Sequence, residues 1–346
     1  MKKLTKSLLF TDIHWGRKQN ADSHNQHCDS FIDFACEKAK QQNVDHIIFM
    51  GDWYENRNAI NVSTINWAYN GAKKLNNLGI PVYFIVGNHD MYTKVNRDVY
   101  ATVDYKEFDN FHIIDQPIIA PEIGNGVLLC PFLFHEEYSK LKKYDVEYAY
   151  GHFEFNGFVV TGDNIKFTGG PDHTEFTRFK RIFSGHFHKR QQSGNMIYIG
   201  NTFPMDFSDA NDFERGIAIH DNEKDTVTYF DWAECPKYIS TTLSEIVNET
   251  VEIPHGANIK CVADININYT QMVEIKNTIS EVYDLSSITI LEPPTVFDVG
   301  EVEEIEDTKS VNIDEAIINM LQNIDSPSID NETLVKIYRS LNLDRQ

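Results

Sequence analysis

Residues 81–90 read Pro81-Val82-Tyr83-Phe84-Ile85-Val86-Gly87-Asn88-His89-Asp90. The first six form a short apolar run rich in β-branched and aromatic residues, the pattern of a buried strand. The last four form a turn crowded with metal-ligating side-chain types. Toward the N-terminus the plan repeats twice: residues 4–11 and 45–50 are apolar runs that end on Asp12-Ile13-His14 and Gly51-Asp52. Between the runs, residues 23–42 and 62–78 carry apolar side chains at helical spacing, such as Phe31, Phe34, Ala35 and Ala39, with Gly79 stopping the second helix. A βαβαβ order predicts parallel strands. Toward the C-terminus the signals become strand-rich over 111–119, 127–134, 148–155, 181–184 and 196–199, followed by a hairpin over 215–220 and 226–230. The expected class is α/β: a two-sheet sandwich flanked by helices.

Two further runs copy the strand-then-ligand plan, ending on Gly151-His152 and on Gly185-His186-Phe187-His188. Ligand sites in α/β sheets form at the carboxyl ends of strands, so five motifs far apart in sequence can converge. An extended D-x-H or H-x-H would place both side chains on one face. The set Asp12, His14, Asp52, Asn88, His152, His186 and His188 is all nitrogen and oxygen, which suits Mn, Fe or Mg better than a thiolate zinc site. Seven ligands exceed the need of one ion but suit two that share a carboxylate, an arrangement that clamps an in-line displacement at phosphorus and generates its nucleophile from water. His24, His27, His46, His112, His135, His173, His220 and His255 lack this context and read as ordinary core or surface histidines.

The chain has 346 residues and a formal charge of -21. No apolar run is long enough to span a membrane, and the run after the basic residues 1–6 is too short for a secretory leader. Five scattered cysteines without a C-x-x-C pair read as reduced thiols. A charge of -21 argues against a polyanionic partner, but it is uneven: residues 1–200 hold 22 basic and 23 acidic residues, and residues 201–346 hold 9 and 29. Basic residues lie beside the motifs: Arg57, Lys94 and Arg97, then Arg178, Lys180 and Arg181, then Lys189 and Arg190. Each could be a solvated surface charge; near two divalent cations they could line a positive groove. The expected division is a catalytic domain over 1–234, a small α+β cap over 235–293, an acidic linker over 294–310 and an amphipathic helix pair over 311–346.

The ordered motif set resembles the signature of the calcineurin-like metallophosphoesterase superfamily and, more narrowly, the SbcD-type double-strand-break-repair nucleases, in particular the recombination endonuclease subunits of T-even-like bacteriophages. Tyr150-Gly151-His152-Phe153-Glu154-Phe155-Asn156-Gly157-Phe158, Tyr198-Ile199-Gly200-Asn201-Thr202-Phe203-Pro204 and Arg215-Gly216 carry the narrower likeness. The resemblance implies that Asp12, His14 and His188 hold one metal and Asn88, His152 and His186 the other, with Asp52 bridging. Mn2+ is the expected ion, with Mg2+ or Fe2+ as alternatives. By the same resemblance His89 acts on the scissile phosphate or leaving oxygen, and Asp90 hydrogen-bonds the His89 imidazole. Glu55 stands where some members carry His, and it is given no catalytic role. The implied activity is 3′→5′ exonuclease on duplex ends and endonuclease on single-stranded DNA, in cytoplasm (that of the host, for a phage protein). The implied partners are DNA, contacted by Arg57, Lys94, Arg178, Lys180, Lys189 and Arg190; an SbcC-type ATPase that receives the terminal helix pair; and a second copy docked through helices over 62–78 and 97–108. The alternatives are a phosphoesterase acting on small or phosphoprotein substrates and a non-catalytic scaffold.

Overall fold

The computed structural model describes residues 3–160, 165–292, 318, 321–322 and 330–342. Residues up to Pro293 form one compact unit, and Pro294–Gln346 form a second. The first unit is built on two six-stranded sheets. In one, β1 (Lys6–Phe10), β2 (His46–Phe49), β3 (Val82–Ile85) and β4 (Phe111–Ile114) run parallel, and the hairpin of β11 (Gly216–Asp221) and β12 (Thr226–Asp231) closes the β1 edge antiparallel. In the other, β6 (Val127–Cys130), β7 (Tyr148–Gly151), β8 (Arg181–Ser184) and β10 (Met196–Tyr198) run parallel, between antiparallel edge strands β5 (Ile118–Ala120) and β9 (Gln191–Ser193).

The inner parallel strands are buried almost along their whole length because both faces are covered. In β1, Leu9 joins Ile48, Ile85, Leu129 and Phe183 in the core between the sheets. Its neighbours Leu8 and Phe10 point the other way, onto helix α1 (Asp22–Gln41) and helix α2 (Val62–Asn76). A third cluster, with Phe153, Phe155, Phe179 and Tyr198, covers the outer face of the second sheet.

A third sheet follows, of parallel strands β13 (Tyr238–Thr242), β14 (Asn258–Val262) and β15 (Ser287–Leu291), with helix α3 (Tyr269–Tyr283) between the last two. Strand β13 escapes sequence reading because Tyr-Ile-Ser-Thr-Thr is half polar and only partly buried. Two expectations are corrected. Residues 97–108 are not a helix: they hold a bend, a bridge and one 3-10 turn, Val103–Glu107. Residues 111–119 are not one strand, because Asp115-Gln116-Pro117 breaks the run and the chain crosses to the second sheet there. In the second unit, helix α4 (Asn331–Asn342) matches the second of the expected helix pair. The acidic linker over 294–310 and nearly all of the first helix lie outside the described residues. All five cysteines are buried and unpaired, and among the described residues no helix is long and apolar enough to cross a membrane.

Candidate metal centre

The parallel strands of both sheets deliver their carboxyl ends to one place. There β1 is followed by Asp12 and His14, β2 by Asp52, β3 by Asn88, β7 by His152 and β8 by His186 and His188. Asp12 and His14 do not share a face through strand alternation. Both have left-handed backbone (φ 52° each), as do Asp52 (φ 62°) and His186 (φ 84°). Left-handed backbone is costly in non-glycine residues and persists where the surroundings over-determine it. Here the chain after β1 is clamped to the chain after β2: the Asp12 amide donates to the Gly51 carbonyl at 2.9 Å and the Trp15 amide to that of Trp53 at 2.8 Å. Gly87 is required by close approach, since a Cβ there would stand 2.2 Å from Asp52 Oδ1.

The seven side chains form two overlapping groups. In the first, His14 Nε2 lies 3.7 Å from Asp12 Oδ1 and 3.2 Å from His188 Nε2. In the second, Asn88 Oδ1 lies 2.8 Å from His152 Nε2 and 3.0 Å from His186 Nδ1. Asp52 Oδ2 stands 3.8 Å from His14 Nε2 and 3.3 Å from His152 Nε2, so one oxygen faces both groups. Ligand bonds of about 2.1 Å give an octahedron with edges of about 3 Å, and these separations are of that size. Charge fits as well. Burial opposes ionisation, and at three of the groups mutual attraction overrides it: Asp12 and Glu55 hold His14 up at about 10, Asp52 holds His152 up at about 9, and the imidazoles of His14 and His152 hold Asp12 down at about 2, whereas burial prevails at His188 and lowers it to about 4. Buried carboxylates that hold imidazoles protonated form a site where cations can replace the protons.

His89 and Asp90 are not arranged as a dyad, and this corrects the expected hydrogen bond between them. The Asp90 carboxylate accepts from the backbone amides of Asp52, Trp53, Tyr54 and Gly87 at 2.9–3.1 Å, and so pins the two ligand-bearing loops together. The His89 ring is instead fixed by Nδ1 donating to the Glu55 carbonyl at 2.7 Å. Glu55 also brings its carboxylate to 2.9 Å from His14 Nδ1 and 3.2 Å from Arg17. Glu154 is placed in the same way, 3.0 Å from His186 Nε2. Carboxylates behind metal-binding imidazoles orient the ring and raise its basicity. Glu154 lies inside a quoted motif two residues after His152, a spacing that could have flagged it.

The calcineurin-like phosphoesterase family model matches residues 5–190, more than half of the chain and all seven candidate ligands. The protein is a calcineurin-like phosphoesterase. Exonuclease subunit 1 of Enterobacteria phage T4 is 28% identical over 200 residues, covering 56% of this chain and 58% of that one. The DNA double-strand break repair protein Mre11 of Methanococcus maripaludis is 25% identical over 227 residues, covering 60% of this chain and 59% of its own. Both agree with the narrower resemblance drawn from the motifs, although the alignments span less than two thirds of either relative. Among solved structures, a protein of Thermus thermophilus aligns over 66% of this chain and 99% of its own length, with a TM-score of 0.40 and 9% identity.

The basic residues of this phosphoesterase divide sharply. Arg57 and Lys94 line a cavity of about 560 Å³ beside Asn88 and His89. Arg178 and Lys180 do not join them: they precede β8, at the end of that strand remote from His186, and pair with Asp145 at 2.7 Å and Asp225 at 3.3 Å. Arg190 is drawn to Asp231 at 2.8 Å and lies over the Tyr229 ring, while Lys189 lines a separate cavity with Arg215. Arg97 is buried and bonded to both oxygens of Glu137. Among the described residues, no group of potential ligands includes any of the eight histidines set aside as ordinary.

Proposed function

We propose that this phosphoesterase is a two-metal DNA nuclease, a 3′→5′ exonuclease on duplex ends and an endonuclease on single strands. The observation that carries the reading is Asp52 Oδ2 facing two ligand groups beside a cavity that holds His89 and two cations. Asp12, His14 and His188 would hold one ion, Asn88, His152 and His186 the other, and Asp52 both, with Mn2+ the preferred ion. When bound, the pair supplies Lewis-acid stabilisation at phosphorus and acidifies water. The chain's own groups do the rest. Arg57 and Lys94 draw the phosphodiester into the cavity. His89, held through Nδ1 by Glu55, keeps Nε2 for the scissile phosphate and the leaving 3′ oxygen. Asp90 acts as a positioning residue by fixing the loops of Asp52 and Asn88.

The names of the two relatives, an exonuclease subunit and a DNA break-repair protein, support DNA as substrate and work within a complex. In this reading residues 1–234 are catalytic, 235–293 a cap, 294–310 a tether and 311–346 the segment that an SbcC-type ATPase receives, in the cytoplasm (that of the host, for a phage protein). The outer face of α2 exposes Val62, Ile65 and Tyr69, a fitting contact for a second copy, whereas Trp67 packs on the core. The test is hydrolysis of linear duplex DNA, labelled at either end, with Mn2+ or Mg2+ and with or without the ATPase. Release of 3′-terminal label with Mn2+, abolished by D12N and reduced at least about a hundredfold by H89S, is the expected result. DNA hydrolysis that survives both substitutions would sink the site assignment.

A further inference from the structure

Phe132 lies in the wall of the cleft and has no part in the mechanism above. It stands two residues beyond β6, at the same end of the second sheet as His152 and His186. Its ring centroid is 6.2 Å from that of His152 and 5.8 Å from that of His186, and with Met91 it gives the cavity of Arg57, Asn88, His89 and Lys94 an apolar side. The ring is half-buried, so part of it is open to the cavity.

Its backbone is held unusually firmly for a loop residue. The Phe132 amide donates to the Val86 carbonyl at 2.9 Å, which ties it to the strand-end loop before Asn88. The Phe132 carbonyl accepts from Arg97 Nη1 at 2.7 Å. Arg97 is itself fixed by two 2.8 Å bonds to Glu137 and stacks on Phe134 at 5.0 Å. A largely buried ion pair thus braces the backbone that carries this ring to the cavity.

A cavity of about 560 Å³ falls within the usual range of roughly 300–1,000 Å³ for small-ligand sites, so it has room for a nucleotide as well as a phosphate. Two cations, the candidate ligand Asn88, His89 and an aromatic ring line the same cavity, and together they match the parts of a nucleotide. Aromatic platforms hold single-stranded bases without reading their identity. Resting on the nuclease reading, we propose that Phe132 is a stacking platform for the unpaired base of the nucleotide at the scissile phosphate. The site thereby selects a frayed or single-stranded nucleotide over a bare phosphodiester.

The test crosses enzyme with substrate. Single-stranded oligonucleotides are cut by wild type, F132L and F132W with Mn2+, either intact or with an abasic tetrahydrofuran unit in place of the nucleotide at one defined cleavage position. Wild type and F132W should cut the intact position at least about tenfold faster than the abasic one, and F132L should cut both at the slow rate. With 2-aminopurine at that position, wild-type binding should quench its fluorescence without added metal, and F132L should bind the oligonucleotide without quenching. Equal slowing of both substrates by F132L overturns the proposal, because Phe132 would then merely support His186. Wild-type discrimination that F132L retains overturns it as well. Wild type inactive on both oligonucleotides but active on a simple aryl phosphodiester removes the nuclease reading, and this inference with it.

Discussion

Asp90 shows how one side chain can belong to a site without touching its chemistry. Four backbone amides converge on its carboxylate, three from the loop after β2 and one from the loop after β3, and its loss would leave buried donors unpaired. D90A is therefore expected to destabilise the fold by roughly 2–4 kcal/mol in urea unfolding monitored by circular dichroism. A residue that served only to tune His89 would instead slow catalysis and leave the unfolding midpoint in place. In the sequence, Asn88-His89-Asp90 invites a catalytic dyad, since His and a carboxylate are common partners. Adjacent residues in a tight turn diverge, however, and here the ring turned to the Glu55 carbonyl. Nothing in a linear sequence reports that choice.

At the level of elements, the loop after β3 and the loop after β6 are joined by Arg97. Its guanidinium bonds to the carbonyls of Asp115 and Phe132 and to Glu137, and it is 7% exposed. Removing one member of a buried pair leaves the other charge uncompensated, so R97A should cost about 3–5 kcal/mol while leaving the salt dependence of DNA binding unchanged. Strand β11 carries a second buried group, His220, wedged between the sheets against Tyr148, Tyr150 and Phe183, with Asp225, Asp221 and Arg181 as the neighbouring charges. Burial outweighs Asp225 and lowers His220 to about 4. A histidine unfolded at about 6.5 then binds its proton more readily in the unfolded chain, so stability falls as pH drops from about 6.5 to 4. The loss due to His220 is on the order of 3 kcal/mol, and urea midpoints of H220N should lie on a flatter curve over that window. His24, lowered to about 3 by burial, adds a slope of the same sign that remains in the variant.

For the molecule as a whole, charge is the clearest case of information that the chain order hides. Split at residue 200, the chain has a nearly neutral half and a strongly acidic one. The fold crosses that line: Arg17 pairs with Asp206, Arg181 with Asp225 and Arg190 with Asp231. Part of the acidic surplus just after residue 200 thus neutralises basic residues of the first half, among them Lys180 and Arg190, which the sequence offered as DNA contacts. Arg57 and Lys94 are the pair placed at the cleft. The double variant R57A/K94A should lower the slope of log affinity against log salt by about 2, as measured by fluorescence anisotropy, and R178A/K180A should leave it unchanged. Equal effects from both pairs would show that DNA also runs over the opposite end of the sheets.

The sequence by itself determined the opening βαβαβ order, the two-sheet class and the seven ligand-type residues. Each of these depends on local periodicity or on a residue type that closes an apolar run, and both can be read along the chain. The tertiary structure decided what those residues face. It showed Asp12 and His14 converging through left-handed backbone rather than strand alternation, Asp90 serving backbone amides, Glu55 and Glu154 standing behind imidazoles, and Phe132 opening onto the cleft. These are contacts between segments far apart in the chain, whose direction is set by how the two sheets pack and not by any pattern within one segment.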